Sequence, residues 1–441
     1  MKINLSSILF LLCSPLFLMA QEEMTLEKAI SIGLENNYNI KIAETSIAIA
    51  ENNDSWAVAG SGVTVDLNGS FNNNIIENNN PASFIRGAFY SGSLGAALDA
   101  NWVVYNGGRI AVSKEILEKA VDQQKLNKLS DIQDLLREIY QNYYAVIYQQ
   151  AQESVLSSIL ETSRDRLAYE QTKKEFGSSN SFNLLQFENA IVTDSINVIS
   201  QSQAINIAQR QLYSSLELIG PQNYKFNESL SVYDETIDAE ALKQTLSEEN
   251  FTLKSLAMLA NVNRLNTKIT KSNRKPTLRL NGALGFTENA FKIFDDNPNT
   301  GDPFPLQLGN QINLGINALF NWRLYDGGAR NIDIQNAKLQ EEIDQLSILQ
   351  AQAQLNDQLD ILISNYNNQL NLLQLTENQV SLARRNIEMT EERFKAGQVS
   401  SLDFRAVQNQ FLQAASARIN AIYSLIQTKI EIDYLVGVFG D

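Results

Sequence analysis

Trp102-Val103-Val104-Tyr105-Asn106-Gly107-Gly108 and Trp322-Arg323-Leu324-Tyr325-Asp326-Gly327-Gly328 are one motif written twice, 220 positions apart. The residues before each copy alternate. Ile312, Leu314, Ile316, Ala318, Phe320, Trp322 and Leu324 fall on one face of a period-two pattern, and Gln311, Asn313, Gly315, Asn317, Asn321 and Arg323 on the other, with Leu319 the exception. Leu94, Ala96, Leu98, Ala100, Trp102 and Val104 repeat the apolar face in the first copy. The residues after each copy change period. From 109 to 176 and from 329 to 396 there is no proline or glycine, and apolar residues recur at three and four, as in Leu126, Leu129, Ile132, Leu136 and Ile139. Period two predicts a strand and period 3.6 a helix, so the Gly-Gly pairs mark the passage from one to the other.

The duplication extends outward from there. Val65-Asp66-Leu67-Asn68-Gly69 maps onto Leu278-Arg279-Leu280-Asn281-Gly282, and Asn37-Tyr38 onto Asn250-Phe251, at an offset of 213. The offset changes in the interval predicted as two loops, 72–91 (Asn-rich, with Pro81) and 287–310 (with Pro298, Pro303 and Pro305), where a surface insertion is tolerated. Each half thus reads helix, strand, loop, strand, very long helix, tight break, long helix. The predicted organisation is a signal peptide at 1–20, a first repeat at 21–220, a linker at 221–238 around the Gly220-Pro221 break, and a second repeat at 239–441, with hairpins at about 62–106 and 275–326.

The leader is read from Lys2, the apolar run Ile8 to Met19, and a cleavage point at Ala20-Gln21. The single cysteine, Cys13, lies inside it; Leu12 precedes it where a lipoprotein signal calls for a small residue, which argues against acylation. No later stretch is long and apolar enough for a transmembrane helix. With no histidine in 441 residues, His-based metal sites and catalytic triads are excluded, and no catalytic, cofactor-binding or metal-binding residue is expected. A net charge of −15 over the whole chain argues against nucleic acid and anionic lipid as partners. The Gly-Gly pairs lack the spacing and the following Lys-Ser/Thr of a phosphate loop.

The strands predicted around 92–105 and 311–325 are about twice the ordinary length, roughly 45 Å at strand rise. Long strands with one apolar and one Asn/Gly/Arg face suit a barrel wall between lipid and water, with Trp102 and Trp322 at the membrane interface. Four strands cannot close a barrel, so the chain calls for copies of itself; three copies would supply about 12 strands. Each long helix would run roughly 100 Å, a coiled-coil scale. Gly177 and Gly397 take the C-terminal cap positions, and Ser181 and Ser400 or Ser401 would N-cap the return helices 182–218 and 402–436.

With these features in place, the sequence resembles the TolC family of outer-membrane factors. The resemblance is carried by the duplicated halves, Thr25-Leu26-Glu27-Lys28-Ala29 through Glu35-Asn36-Asn37, the two Trp-x-x-Tyr-(Asn/Asp)-Gly-Gly junctions, and Phe394-Lys-Ala-Gly397-Gln-Val-Ser-Ser-Leu-Asp403-Phe404. It implies an α+β fold in which a trimeric 12-stranded β-barrel, four strands per protomer, continues into a long coiled-coil α-helical barrel. It implies a homotrimer in the cell outer membrane with an extended periplasmic part, docked to a periplasmic adaptor protein and an inner-membrane pump, that serves as exit duct for efflux or type I secretion. The turns at Gly177, Ser181, Gly397 and Ser401 would be its periplasmic tip. Acidic residues after the second tip glycine line the constriction in that family. Asp403 matches the first of them, Ala406 stands where a second would be, and the first-half partner is Asn183. The bland reading of Asp403 is a first-turn acid in a helix cap. The alternative for the whole chain is a periplasmic coiled-coil scaffold or adaptor without a channel.

Overall fold

The structure, a computed structural model, describes residues 22–220, 222, 224–231, 237–297 and 300–439. The leader 1–20 and part of the 221–238 linker, including Pro221, lie outside the described residues. The chain divides into two compact units, one of helices (residues up to 43, 127–253 and from 351) and one carrying the sheet (44–126 and 254–350).

The helices follow the repeat. α1 (Leu26–Asn36) starts where the Thr25 side chain accepts the Lys28 amide, and α2 (Tyr38–Asn53) follows after a one-residue joint at Asn37. The Asn37 Oδ1 accepts the amides of Asn39 (2.8 Å) and Ile40 (3.2 Å), so one buried side chain caps the second helix where the first ends. α3 (Arg109–Glu175) is 67 residues long and α4 (Ser181–Ser215) is 35. In the second half α5 (Ala239–Glu249) and α6 (Phe251–Ser272) meet at Asn250, and α7 (Ala329–Lys395, again 67 residues) is followed by α8 (Ser401–Val436). At 1.5 Å per residue α3 and α7 each extend about 100 Å. None of the helices among the described residues is apolar enough to cross a membrane.

Two equivalent cores hold the helical unit together. In the first, Leu135, Ile139, Tyr143 and Val146 of α3 pack with Leu212 and Leu216 at the end of α4 and with Ala29 and Met24. In the second, Leu359, Ile363 and Tyr366 of α7 pack with Leu425, Ile432 and Val436 of α8 and with Leu246 and Leu253. Leu359, Ile363, Tyr366, Ile432 and Val436 are the repeat equivalents of Ile139, Tyr143, Val146, Leu212 and Leu216, all buried. The Tyr143 hydroxyl lies 2.7 Å from Glu228 Oε2. Burial, and then that hydrogen bond, push its phenol far above the usual range.

The sheet unit is an antiparallel meander in the order β1-β2-β3-β4, with β1 at Thr64–Asn78, β2 at Gly87–Tyr105, β3 at Thr277–Ile293 and β4 at Gln307–Asn321. β2 and β3 join the two hairpins, so β1 and β4 are edges. The register aligns Leu67, Leu98, Leu284 and Leu314 across the sheet, and likewise Phe71 with Leu94 and Phe286 with Ile312. This face is open: Leu67, Leu314 and Ile316 expose 75%, 79% and 82% of their surface. The other face carries Asn68, Asn72, Asn101, Asn281, Asn313 and Asn317, with Asn68 Nδ2 donating to Asp99 (2.7 Å) and Asn72 Nδ2 to Ser93 (3.3 Å).

The loops are shorter than the sequence suggests, 79–86 and 294–306 in place of 72–91 and 287–310. Asn-rich sequence reads as loop, but Asn72 and Asn74 sit on the polar face with Ile75 opposite, so the alternation continues into the asparagines. β4 ends at Asn321, and Trp322 to Tyr325 follow outside the strand.

The joints at Asn37 and Asn250 are equivalent but not equal. Asn250 Oδ1 accepts the Leu253 amide at 3.0 Å, and its Nδ2 also donates to the buried carbonyl of Leu435 at 2.8 Å. We expect Asn37→Ala to cost about 1 kcal/mol as a lost cap, and Asn250→Ala about 2 kcal/mol because it also orphans that carbonyl. Denaturant midpoints of the two variants check the order; equal shifts would refute it.

Candidate functional site

The two turns that end the long helices are built alike. Gly177 and Gly397 adopt φ of 73° and 72°. In each, the glycine amide bonds back to the third residue before it (Lys174 O, 2.9 Å; Phe394 O, 3.0 Å), and the next amide bonds to the carbonyl one residue further back (Lys173 O, 2.8 Å; Arg393 O, 2.9 Å). That is the Schellman arrangement, which requires the left-handed conformation at the glycine. The return helices start on different caps from those expected in one case. Asn180, not Ser181, caps α4, its Oδ1 accepting the Asn183 amide at 2.9 Å, because the turn places Ser181 already inside the helix. At α8, of the two serines considered, the cap is Ser400, and Ser401 is the first helical residue.

The two turns meet. Ser401 Oγ donates to Asn183 Oδ1 at 3.2 Å. Beneath them Phe187, Phe394 and Phe404 form a buried aromatic cluster with Tyr169 and Leu167 against it. Asp403 is exposed; its amide donates to Ser400 Oγ (3.2 Å), whose hydroxyl donates to Asp403 Oδ2 (2.7 Å). Its geometry is therefore that of a first-turn cap partner.

The charges that sequence reading missed lie further along the same helices. Asp194 of α4, 2% exposed, forms a forked ion pair with Arg405 of α8, 21% exposed. Arg405 Nη1 lies 2.8 Å from Asp194 Oδ2, and Nη2 bonds the other oxygen. Ser163 Oγ donates to Asp194 at 2.7 Å, and Gln408 bridges Arg405 to the α3 carbonyl of Ile159. Nearby, Arg166 pairs with Glu391, and its guanidinium lies 5.3 Å from the centre of the Phe404 ring. Burial opposes the charge on Glu391, but hydrogen bonds from Lys395 and Arg166 outweigh it and hold its carboxyl below the usual range. These ties fasten α3 to α4 and α8, and separately α3 to α7. One signal was available: Asp194 follows Phe187 and Ala190 in the same helical phase, so it stands on the buried stripe.

In the sheet unit, both strand–helix junctions show the same device. Gly107, Gly108, Gly327 and Gly328 all have φ between 71° and 92°. Only at Gly107 would a side chain also collide, its Cβ falling 2.6 Å from Ser272 O. At the other three there is open space, so backbone conformation, not obstruction, requires glycine. The indole N–H of Trp102 donates to Ser61 O (3.2 Å), and that of Trp322 to Arg274 O (3.0 Å). Both tryptophans are about half exposed.

The profile of the outer membrane efflux protein family matches residues 29–217 and 242–438, one segment for each half. No curated protein sequence matches the chain. The fold is similar to that of the CmeC outer membrane channel of Campylobacter jejuni, at 14% identity over 93% of this chain and 85% of that one, TM-score 0.71. It is similar to the MtrE outer membrane channel of Neisseria gonorrhoeae in its open state (13% identity, 93% and 88% covered, TM-score 0.69). It also resembles the outer membrane protein VceC of Vibrio cholerae (12% identity, 93% and 96% covered, TM-score 0.67). The family and these neighbours are outer-membrane proteins, not enzymes.

Removing one member of a buried ion pair leaves the other unpaired in a poor solvent for charge. We expect Asp194→Ala to loosen this end by about 3 kcal/mol. The reading is faster amide hydrogen exchange in 159–166 and 401–408, with the cores around Ile139 and Leu359 unchanged. Unaltered exchange there would refute the role given to the pair.

Proposed function

Since the chain belongs to the outer membrane efflux protein family, we propose that it forms the outer-membrane exit duct of a tripartite efflux or type I secretion system, working as a homotrimer with a periplasmic adaptor and an inner-membrane pump. The observation that carries this reading is the sheet. It has one apolar face turned to solvent and two edge strands of 15 residues that pair with no further strand among the described residues. In lipid each backbone group along an edge must be hydrogen-bonded, and only closure supplies the bonds. Because the meander alternates in direction, β4 of one copy meets β1 of the next antiparallel, and the pattern continues without a break. Three copies give about 12 strands with the asparagine face inward, as a water-filled barrel needs. The apolar positions from Tyr90 to Trp102 on β2, tilted as barrel strands are, make a band about 25–30 Å tall, the height of the hydrocarbon layer.

The helices support the same assembly. Leu185, Val192, Ile196 and Ile199 of α4, and Leu372, Leu375, Leu382 and Met389 of α7, are exposed in the single chain at spacings of three, four and seven. Such seams are buried when helices pack side by side as coiled coils. In this reading the turns at Gly177 and Gly397 form the periplasmic tip, with Asp403 beside its opening. The duct performs no chemistry. The pump supplies the energy, and the tip opens as helices change between packings of similar energy.

Light scattering of the protein extracted in mild detergent should give three times the mass of one chain. A stable monomer would overturn the reading, since four strands cannot close alone. A disulfide engineered between neighbouring copies across the tip helices should abolish export, and full cross-linking with undiminished export would refute the moving tip.

A further inference from the structure

The two strand–helix junctions share their geometry but not their charge. Between 268 and 279 the second half carries Lys268, Lys271, Arg274, Lys275 and Arg279 without an acid, and Arg323 and Arg330 lie beyond β4. Their equivalents in the first half are Ser55, Val58, Ser61, Gly62, Asp66, Val103 and Ile110. Trp102 bonds the Ser61 carbonyl as Trp322 bonds that of Arg274, so the junction folds equally well without the cations. Their concentration at one junction of a chain with net charge −15 is therefore not required by the shared fold of the two junctions.

A cavity of about 270 Å³ opens at this place, lined among others by Arg274, Trp322, Arg323, Tyr325 and Arg330. Part of the charge is spent: Arg330 is tied to Asp326 at 2.6 Å, and Lys268 lies 3.4 Å from Glu115. The rest is free. Arg274 donates to the uncharged Asn331, and Lys271, Lys275, Arg279 and Arg323 have no ion-pair partner among the described residues. Trp322 and Tyr325, 53% and 83% exposed, line the cavity just beyond the end of β4. Aromatic rings at the end of an apolar band beside guanidinium groups are what a lipid needs whose chains lie along the band and whose phosphate lies at its edge.

We propose that this cavity holds the phosphate of an anionic phospholipid, bound by Arg274 and Arg323, one per chain. The site rests on the barrel reading for the lipid layer it meets. The net charge of the chain repels such lipids at a distance, but over a Debye length of about 8 Å the local cations decide.

The test is native mass spectrometry of the detergent-solubilised full assembly titrated with short-chain phosphatidylglycerol, phosphatidylcholine or inorganic phosphate. One phosphatidylglycerol per chain should bind in preference to phosphatidylcholine. Arg274→Gln and Arg323→Gln should each weaken it about fivefold, while Arg109→Gln, at the other junction, should not. Equal binding of the two lipids, or a double variant that binds as wild type, would overturn the site. Displacement of the lipid by an equal concentration of inorganic phosphate would make it a free-anion site and overturn the lipid. The same spectra report the assembly: a trimer indifferent to lipid charge sinks the site alone, whereas a monomer that keeps the preference sinks the barrel and leaves the site.

Discussion

Everything in this chain is arranged around backbone hydrogen bonds that it does not make by itself. Four antiparallel strands satisfy the groups between β1 and β2, β2 and β3, and β3 and β4, and leave the outer rows of β1 and β4 open. In water an edge of this length invites aggregation; in lipid an unpaired row has no solvent to turn to. A sheet that ends in two such edges, with leucines and isoleucines spread over one face, is what the proposed closed barrel would complete. The coiled-coil helices carry the same message in side chains, since their exposed leucine and isoleucine seams ask for neighbouring helices.

Much of the protomer's fold was legible in the sequence because it is written twice. The repeat fixes which residues are equivalent, and the structure returns the equivalences as shared burial: Ile139 with Leu359, Leu212 with Ile432, Leu216 with Val436. Period two, period 3.6 and the Gly-Gly joints located strands and helices to within a few residues. What misled was composition. The asparagines after Phe71 read as loop, yet on a sheet with a wet face asparagine is a strand residue, and the hairpin runs on to Asn78. The cap of α4 was misplaced for a similar reason: Asn180 and Ser181 are both good caps, and only the path of the turn chooses between them.

The tip was less legible. Along a solvated coiled coil charge is the rule, so the buried Asp194 and Arg166 and their half-buried partners Arg405 and Glu391 are invisible as ion pairs until the helices are placed. Their helical phase alone separates them from the many acids that face water. Asp403, conspicuous by its place after the glycine, is engaged in a cap.

A duplicated scaffold separates what the fold needs from what it does not. Positions alike in both halves, such as the tryptophans and the junction glycines, and positions buried in both, are those the architecture requires twice. Positions that differ are free of that requirement. The repeat equivalents of Asp194 and Arg405 are Ala414, buried, and Leu185, exposed. The ion pair thus joins α4 to α8 once per chain and has no counterpart joining the equivalent helices the other way round. The first half supplies the acid and the second the base, so each half carries one partner of a tie that neither can form alone. The basic junction obeys the same logic, present beside Trp322 and absent beside Trp102 on an equivalent backbone. Two halves that began as equals have kept one skeleton, and charge is where they have diverged, at the two ends of the long helices.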